Sequence, residues 1–165
     1  MNQYIVYCDG ASRNNPGKAG WGAVIIKNES LIKEIGARSE NATNNQMELL
    51  AVTKSLITIK QTPAKIKIYS DSQYVINGIN HWIKNWIKNS WKTSTGKPVE
   101  NIEYWKNLHQ TIKNNHSHSF IEWNHVPAHI GVEGNERADS ILTLAKASKP
   151  FKSNLGLPGS AYPSF

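Results

Sequence analysis

An α/β domain built on a mixed β-sheet is expected from three features of the chain. Five short apolar or β-branched runs read as strands, and the first three follow one another with only turns between them, the pattern of an antiparallel meander. The later strands alternate with stretches of helical spacing, as strands joined by crossover helices do. The length of 165 residues, with 39% hydrophobic and 19% charged, suits one domain with a substantial core and excludes disorder or a fibrous repeat.

Each element has its own signal. Residues 3–8 are a β-branched and aromatic run that stops at the turn pair Asp9-Gly10. A turn-rich stretch with Asn14, Asn15, Pro16 and Gly17 leads to a second strand over residues 21–26. Asn28-Glu29-Ser30 suits a hairpin turn before a third strand over residues 31–38. Residues 43–59 carry Leu49, Val52, Leu56 and Ile59 on one helical stripe, with Thr43 and Gln46 spaced as a capping box. After Pro63, residues 66–70 alternate as a strand ending at Asp71, and residues 72–89 read as one or two helices. Residues 92–98 form a polar loop, 100–113 a helix, 119–126 a last strand and 133–146 a last helix. Residues 150–165, rich in Pro, Gly and Ser, read as a flexible tail after a domain of residues 1–149.

Composition narrows the setting. No apolar run approaches the roughly 20 residues of a membrane span, and the first residues lack the features of a signal peptide. The single cysteine, Cys8, excludes an internal disulfide framework and a multi-cysteine zinc site. A cytoplasmic, membrane-free, monomeric protein is the expectation. The net charge of +7 suits a polyanionic partner, nucleic acid above all, or a solvated basic surface. The glycine-rich stretch 10–20 is not a P-loop, because Ser12 stands where its first glycine belongs and Ala19 where its hydroxyl belongs.

The acids are more informative. Only three of the 12 are aspartates, Asp9, Asp71 and Asp139, and each falls in or beside a structural transition. Asp9 and Asp71 each follow a strand; if those strands are parallel neighbours, both carboxylates emerge at the sheet's carboxyl edge, where open α/β sheets place their sites. Paired carboxylates force a proton onto one of them unless a cation lies between, and Mg²⁺ suits such oxygen donors. Glu48, in the first turn of its helix, flanks the apolar stripe, and Asp139 lies in the last helix. Each has a plainer explanation: turn chemistry for Asp9, helix capping for Asp71, the helix dipole for Glu48 and a solvated helix position for Asp139.

The chain resembles type 1 ribonuclease H, in the bacterial form with a basic protrusion. The resemblance rests on Tyr7-Cys8-Asp9-Gly10 with Asn15-Pro16-Gly17, Thr43-Asn44-Asn45-Gln46-Met47-Glu48-Leu49, Tyr69-Ser70-Asp71-Ser72-Gln73-Tyr74-Val75, and Val126-Pro127-Ala128-His129-Ile130-Gly131 followed by Asn135-Glu136-Arg137-Ala138-Asp139. It implies a ribonuclease H-like fold, a five-stranded mixed sheet flanked by helices, and endonucleolytic cleavage of the RNA strand of an RNA–DNA hybrid. Asp9, Glu48, Asp71 and Asp139 would be the metal ligands, with His129 a mobile loop histidine that moves a proton or helps product leave. Two Mg²⁺ ions about 4 Å apart, with Mn²⁺ as a substitute, would stabilise the charge of the transition state. Products would carry 5′-phosphate and 3′-hydroxyl ends.

The resemblance also assigns substrate contacts. Asn15, Asn44, Asn45 and Gln73 match positions lining the minor groove, where the 2′-hydroxyl tells RNA from DNA. Lys88, Trp91, Lys92 and Lys97 would grip the DNA strand, and Thr43 and Asn101 match its phosphate pocket, although Asn41 and Gln46 stand where relatives often carry arginine. Trp82 and Trp86 also suit a small apolar cluster beside a solvated lysine face. Three rivals stand beside this reading: a resolvase-, integrase- or transposase-like enzyme of the same fold cutting DNA, an inactive binding module, and a histidine metal site from His116, His118, His125 and His129.

Overall fold

The computed structural model describes residues 1–28 and 30–126, apart from the side chains of Leu31 and Ile32. The expected helix at 133–146, the tail at 150–165, His129 and Asp139 lie outside the described residues. Strands β1 (Asn2–Ser12), β2 (Gly17–Lys27) and β3 (Ser30–Ala42) form the meander, and β4 (Ala64–Ser70) and β5 (Phe120–His125) complete a five-stranded sheet in the order β3-β2-β1-β4-β5. β1 is antiparallel to β2 and parallel to β4, and β4 is parallel to β5. Five strands in a mixed sheet are the architecture the sequence predicts.

The strands run further than their apolar signals. β1 does not stop at Asp9-Gly10, because β2 pairs with it through Asp9↔Gly22, Gly10↔Trp21 and on to Ser12↔Ala19. Ladder hydrogen bonds override the local turn preference of an Asp-Gly pair. The Lys27↔Ser30 pairing leaves a two-residue hairpin loop, with Asn28 at φ 47°, a left-handed conformation that Asn tolerates.

The parallel pairs position the site. β1 and β4 are in register from Asn2↔Ala64 to Cys8↔Ser70, so Asp9 and Asp71 come next on adjacent strands. β4 and β5 end together at Ser70↔His125. In β4 the alternation is clean: Ala64, Ile66, Ile68 and Ser70 are buried, with Lys65 and Lys67 exposed. Val6, Cys8, Ile66 and Ile68 join Leu49, Val52 and Leu56 of helix α1 (Asn44–Thr58) in one core.

Helix α1 starts with the expected capping box: the Gln46 N–H donates to Thr43 Oγ1 at 3.2 Å and Gln46 Oε1 accepts from the Thr43 N–H at 3.0 Å. After Ser72, the N-cap, come α2 (Gln73–Asn77), a π-helical turn (Gly78–Trp82) and α3 (Ile83–Lys88). The turn falls where Gly78 meets the buried Trp105 of helix α4 (Ile102–Asn115); a Cβ at Gly78 would run into that ring. Helix α4 begins later than the sequence suggests, because Asn101 is left-handed at φ 57°.

At the other end of α1, buried His116 is held on both nitrogens. Nε2 lies 2.8 Å from the Leu56 carbonyl, which can only accept, so Nε2 carries the proton and Nδ1 accepts from the Ser119 hydroxyl at 3.2 Å. The same hydroxyl accepts from the Ala64 N–H at 3.0 Å, tying α1, α4 and the start of β4 together. A buried histidine with both nitrogens engaged is a structural tie, not a metal ligand.

Gly10 lets α1 press against β1. A Cβ there would come within 2.6 Å of the Glu48 nitrogen and 2.7 Å of the Met47 Cβ. Gly10→Ala is therefore expected to lose about 3 kcal/mol of stability, read from urea unfolding, and to weaken activity by pushing Glu48 away from Asp9.

Candidate active site

Three carboxylates from three elements meet at the carboxyl edge of the parallel strands. Asp9, Glu48 and Asp71 each offer an oxygen, and these oxygens lie within 4.8 Å of one another. β1 supplies Asp9, β4 delivers Asp71 one residue beyond its end, and α1 brings in Glu48 across the Gly10 contact. Asp9 and Glu48 are 5% and 7% exposed, so their charges have little water to stabilise them. Asp71 is partly exposed.

The plainer explanations of these acids do not hold. Asp9 lies within a strand, not in a turn. Ser72, not Asp71, caps α2, its side chain accepting from the Val75 N–H at 3.2 Å. Glu48 lies beyond the first turn of α1, which holds no acid, so the helix dipole does not account for it.

Burial raises the Glu48 carboxyl well above its ordinary range, and repulsion from Asp9 and Asp71 adds to the rise. A hydrogen bond to Asp9 favours the protonated form further, and the Gly10 N–H pulls weakly the other way. Glu48 Oε2 is buried with no hydrogen-bond partner among the described residues. The Gly10 N–H also donates to Asp9 Oδ1 at 2.9 Å. An oxygen-only donor set, crowded, buried and partly orphaned, fits a hard divalent cation. Buried Cys8 underlies the site; burial, then Glu48, Asp9 and Asp71, push its thiol well up, so it is no nucleophile.

The expected substrate contacts fall into two groups. Beside the carboxylates, Asn15 Oδ1 accepts from the Asn44 N–H at 2.9 Å and Asn44 Oδ1 accepts from the Ser12 N–H at 2.6 Å. Both amide oxygens are used, so what these two side chains offer a ligand is N–H donors. Asn45 is partly buried in the first turn of α1. Gln73 is exposed and lies 3.5 Å from His125 Nδ1, whose Nε2 donates to the Asp71 carbonyl at 3.2 Å. Thr43 and Asn101 are brought together through Gln46, whose Nε2 donates to Asn101 Oδ1 at 3.2 Å.

The second group lies on α3 and the loop after it. Lys88, Lys92 and Lys97 are exposed, and a Lys92↔Pro98 bridge closes the loop. Trp91 is half-buried, with its ring edge-on to His109 at 6.1 Å. Trp86 lies 5.2 Å from Trp105 and 5.8 Å from Trp82, so the expected apolar cluster exists, and Trp82 remains 37% exposed. Gly10, Tyr74 and His125 have site contacts that sequence reasoning missed, and Gln46, which it set at the phosphate pocket, turns out to bond Asn101. Only Gln46, as a capping-box residue, carried a local signal. Among the described residues the histidines do not gather into a metal cluster; the carboxylate trio is the group that does.

A mixed α/β sheet with crowded carboxylates at its parallel edge defines a class, the divalent-metal phosphodiester hydrolases. The RNase H family model matches residues 1–147. The ribonuclease H of Ruthia magnifica subsp. Calyptogena magnifica is 43% identical over 145 residues, covering 88% of this chain and 96% of the relative. That of Paracidovorax citrulli is 45% identical over 141 residues, covering 86% and 92%. Among solved structures, LC9-RNase H1, a type 1 RNase H with the type 2 active-site motif, superposes with a TM-score of 0.75 at 24% identity, covering 90% of this chain and 74% of that one. LC11-RNase H1 in complex with an RNA/DNA hybrid superposes with a TM-score of 0.68 at 22% identity, covering 88% and 97%. The chain belongs to the RNase H family, and is thus a metal-dependent nuclease hydrolase.

The raised Glu48 carboxyl sets a pH dependence for metal-free protein. The folded state holds this proton more tightly than the unfolded chain, so the group's contribution is complete below the ordinary glutamate range and is lost as pH rises through the raised value. Glu48→Gln should raise the melting temperature of chelator-treated protein at neutral pH, and the gain should vanish in acid; thermal unfolding across pH checks this.

Proposed function

We propose that this chain cleaves the RNA strand of RNA–DNA hybrids by hydrolysis on two divalent ions, leaving 5′-phosphate and 3′-hydroxyl ends. The observation that carries the reading is the Asp9–Glu48–Asp71 trio, with oxygens within 4.8 Å of one another and one buried glutamate oxygen unpartnered among the described residues. Asp139 joins them as the fourth ligand. When bound, the two ions, Mg²⁺ or Mn²⁺ in its place, offset the charge that builds as water attacks the phosphodiester.

The chain's own groups do the rest. Asp9, Glu48 and Asp71 act as a fixed negative cradle, with Gly10 N–H steadying Asp9 Oδ1. Asn15 and Asn44, their oxygens already engaged, donate N–H bonds to minor-groove acceptors, with Asn45 and Gln73 beside them, and sense the 2′-hydroxyl. Lys88, Lys92 and Lys97, with Trp91, hold the DNA strand, and Thr43 and Asn101 seat one of its phosphates. The His129 imidazole moves a proton or helps product leave. The catalytic domain is residues 1–149 with a tail at 150–165, and the enzyme is a cytoplasmic monomer. No helix among the described residues is long and apolar enough to cross a membrane, which is compatible with that setting.

Labelled RNA–DNA hybrid, double-stranded DNA and double-stranded RNA, each with Mg²⁺ and with chelator, test the reading. Cleavage confined to the RNA of the hybrid and stopped by chelator is expected; cutting of duplex DNA alone would favour a strand-transfer or resolvase-like enzyme. Asp9→Asn or Asp71→Asn should abolish cleavage with the fold intact by circular dichroism.

Lys88→Ala or Lys97→Ala should weaken hybrid binding and lower the slope of log K against log salt by about 1 for each phosphate left without its lysine, with turnover at saturating substrate nearly intact. A salt titration of binding reads this slope directly.

A further inference from the structure

Asn101 is used in an unusual way. It is the N-cap of α4, yet its side chain makes no capping hydrogen bond and its backbone is left-handed at φ 57°. Capping is the ordinary reason for an asparagine at that position. Here the side chain is turned elsewhere: Oδ1 accepts from Gln46 Nε2 at 3.2 Å and Nδ2 donates to the Tyr74 hydroxyl at 3.1 Å. Asparagine tolerates the left-handed backbone, but a side chain diverted from its cap to two distant partners calls for another role.

Both neighbours are themselves anchored. Gln46 has its Oε1 committed to the Thr43 N–H in the capping box, so its amide cannot turn over without breaking the box. The Tyr74 hydroxyl also accepts from Nε1 of Trp105, a fully buried side chain, at 2.9 Å. The Tyr74 ring is packed against Trp105 at 5.5 Å and Trp82 at 5.9 Å. Asn101 is thereby clamped between the start of α1 and the aromatic cluster.

Counting protons shows what remains. Asn101 Nδ2 and Gln46 Nε2 have each given one of their two hydrogens, and the hydroxyls of Thr43 and Tyr74 have only accepted. Neutral N–H and O–H donors are therefore left on Asn101 and Thr43, which Gln46 links. We propose that Tyr74, through its hydroxyl, is a positioning residue that fixes the Asn101 amide, beside Thr43, as a neutral donor seat for one phosphate of the DNA strand. The inference rests on the phosphate-seat reading of Thr43 and Asn101 given above. It adds that the seat is set by geometry supplied from Tyr74 and Gln46, not by a charge.

The test replaces DNA-strand phosphates of a hybrid one at a time with methylphosphonates and measures KM and kcat. In the parent enzyme one position near the cleaved bond should carry a KM penalty that Asn101→Ala removes. Tyr74→Phe should raise KM for the unmodified hybrid about fivefold, leave kcat unchanged, and remove the same single penalty. Gln46→Met, which releases Asn101 from the other side, should give the same fingerprint. A Tyr74→Phe enzyme that keeps the penalty while Asn101→Ala loses it overturns the positioning role alone. A fall in melting temperature with a uniform change at all phosphates also overturns it, since that is what a merely structural tie would do. If Asn101→Ala keeps the penalty, the phosphate seat itself is wrong and the inference falls with it.

Discussion

Repulsion among three carboxylates is the constraint around which this fold is arranged. Two unit charges 4 Å apart cost about 4 kcal/mol at the effective dielectric of a protein surface, and more when buried. Asp9 and Glu48 are almost wholly withdrawn from water, and their oxygens lie within 4.8 Å of each other and of Asp71. A scaffold that brings such groups together must be rigid, or the charges would relax apart. The parallel β1–β4 ladder fixes Asp9 and Asp71, and the close approach of α1 at Gly10 fixes Glu48. Burial and the neighbouring Asp9 and Asp71 raise the Glu48 carboxyl, so without a cation the same crowding favours holding a proton there.

The start of α1 serves two sites at once. Asn44, in its first turn, bonds Ser12 at the end of β1 and Asn15 in the loop after it, tying that turn to both. In the same turn Gln46, held by Thr43, donates to Asn101 at the N-cap of α4. Because the capping box fixes this turn, one local motif sets the positions of Asn44 and Asn101 together. The helix needs no acid in its first turn for this, and has none.

The parts that were readable in the sequence are those set by short-range rules. Alternation found β4, the capping box found the start of α1, and the scarcity of aspartate singled out Asp9 and Asp71. The parts that were not readable depend on partners far along the chain. Asp9-Gly10 looks like a turn until β2 pairs across it, and Gly10 shows its purpose only when α1 is placed. The dipole explanation of Glu48 failed by less than a turn of helix, a distance that periodicity does not resolve. The Gln46–Asn101 contact spans 55 residues and Tyr74–Trp105 spans 31, so no local pattern announces either. The left-handed Asn101 and the π-helical turn at Gly78 are likewise answers to tertiary packing, around Trp105 in the second case.

The distribution of charge separates affinity from register. In the proposed substrate reading, Thr43, Gln46 and Asn101 are neutral, so a seat formed by them orients a phosphate but contributes little long-range attraction. Attraction falls to the lysines of α3 and the following loop, which are exposed and carried on a stiff support. That support is the Trp82–Trp86–Trp105–Tyr74 cluster, whose rings are 5.2 to 5.9 Å apart. Exposed lysines release counterions and give salt-dependent, sequence-independent binding. Neutral donors are little affected by salt and discriminate by distance and angle. An enzyme that must accept any sequence yet cut one strand of a defined duplex geometry benefits from keeping these two tasks on different residues, and Tyr74 joins the two regions, its ring against Trp82 and Trp105 and its hydroxyl on Asn101.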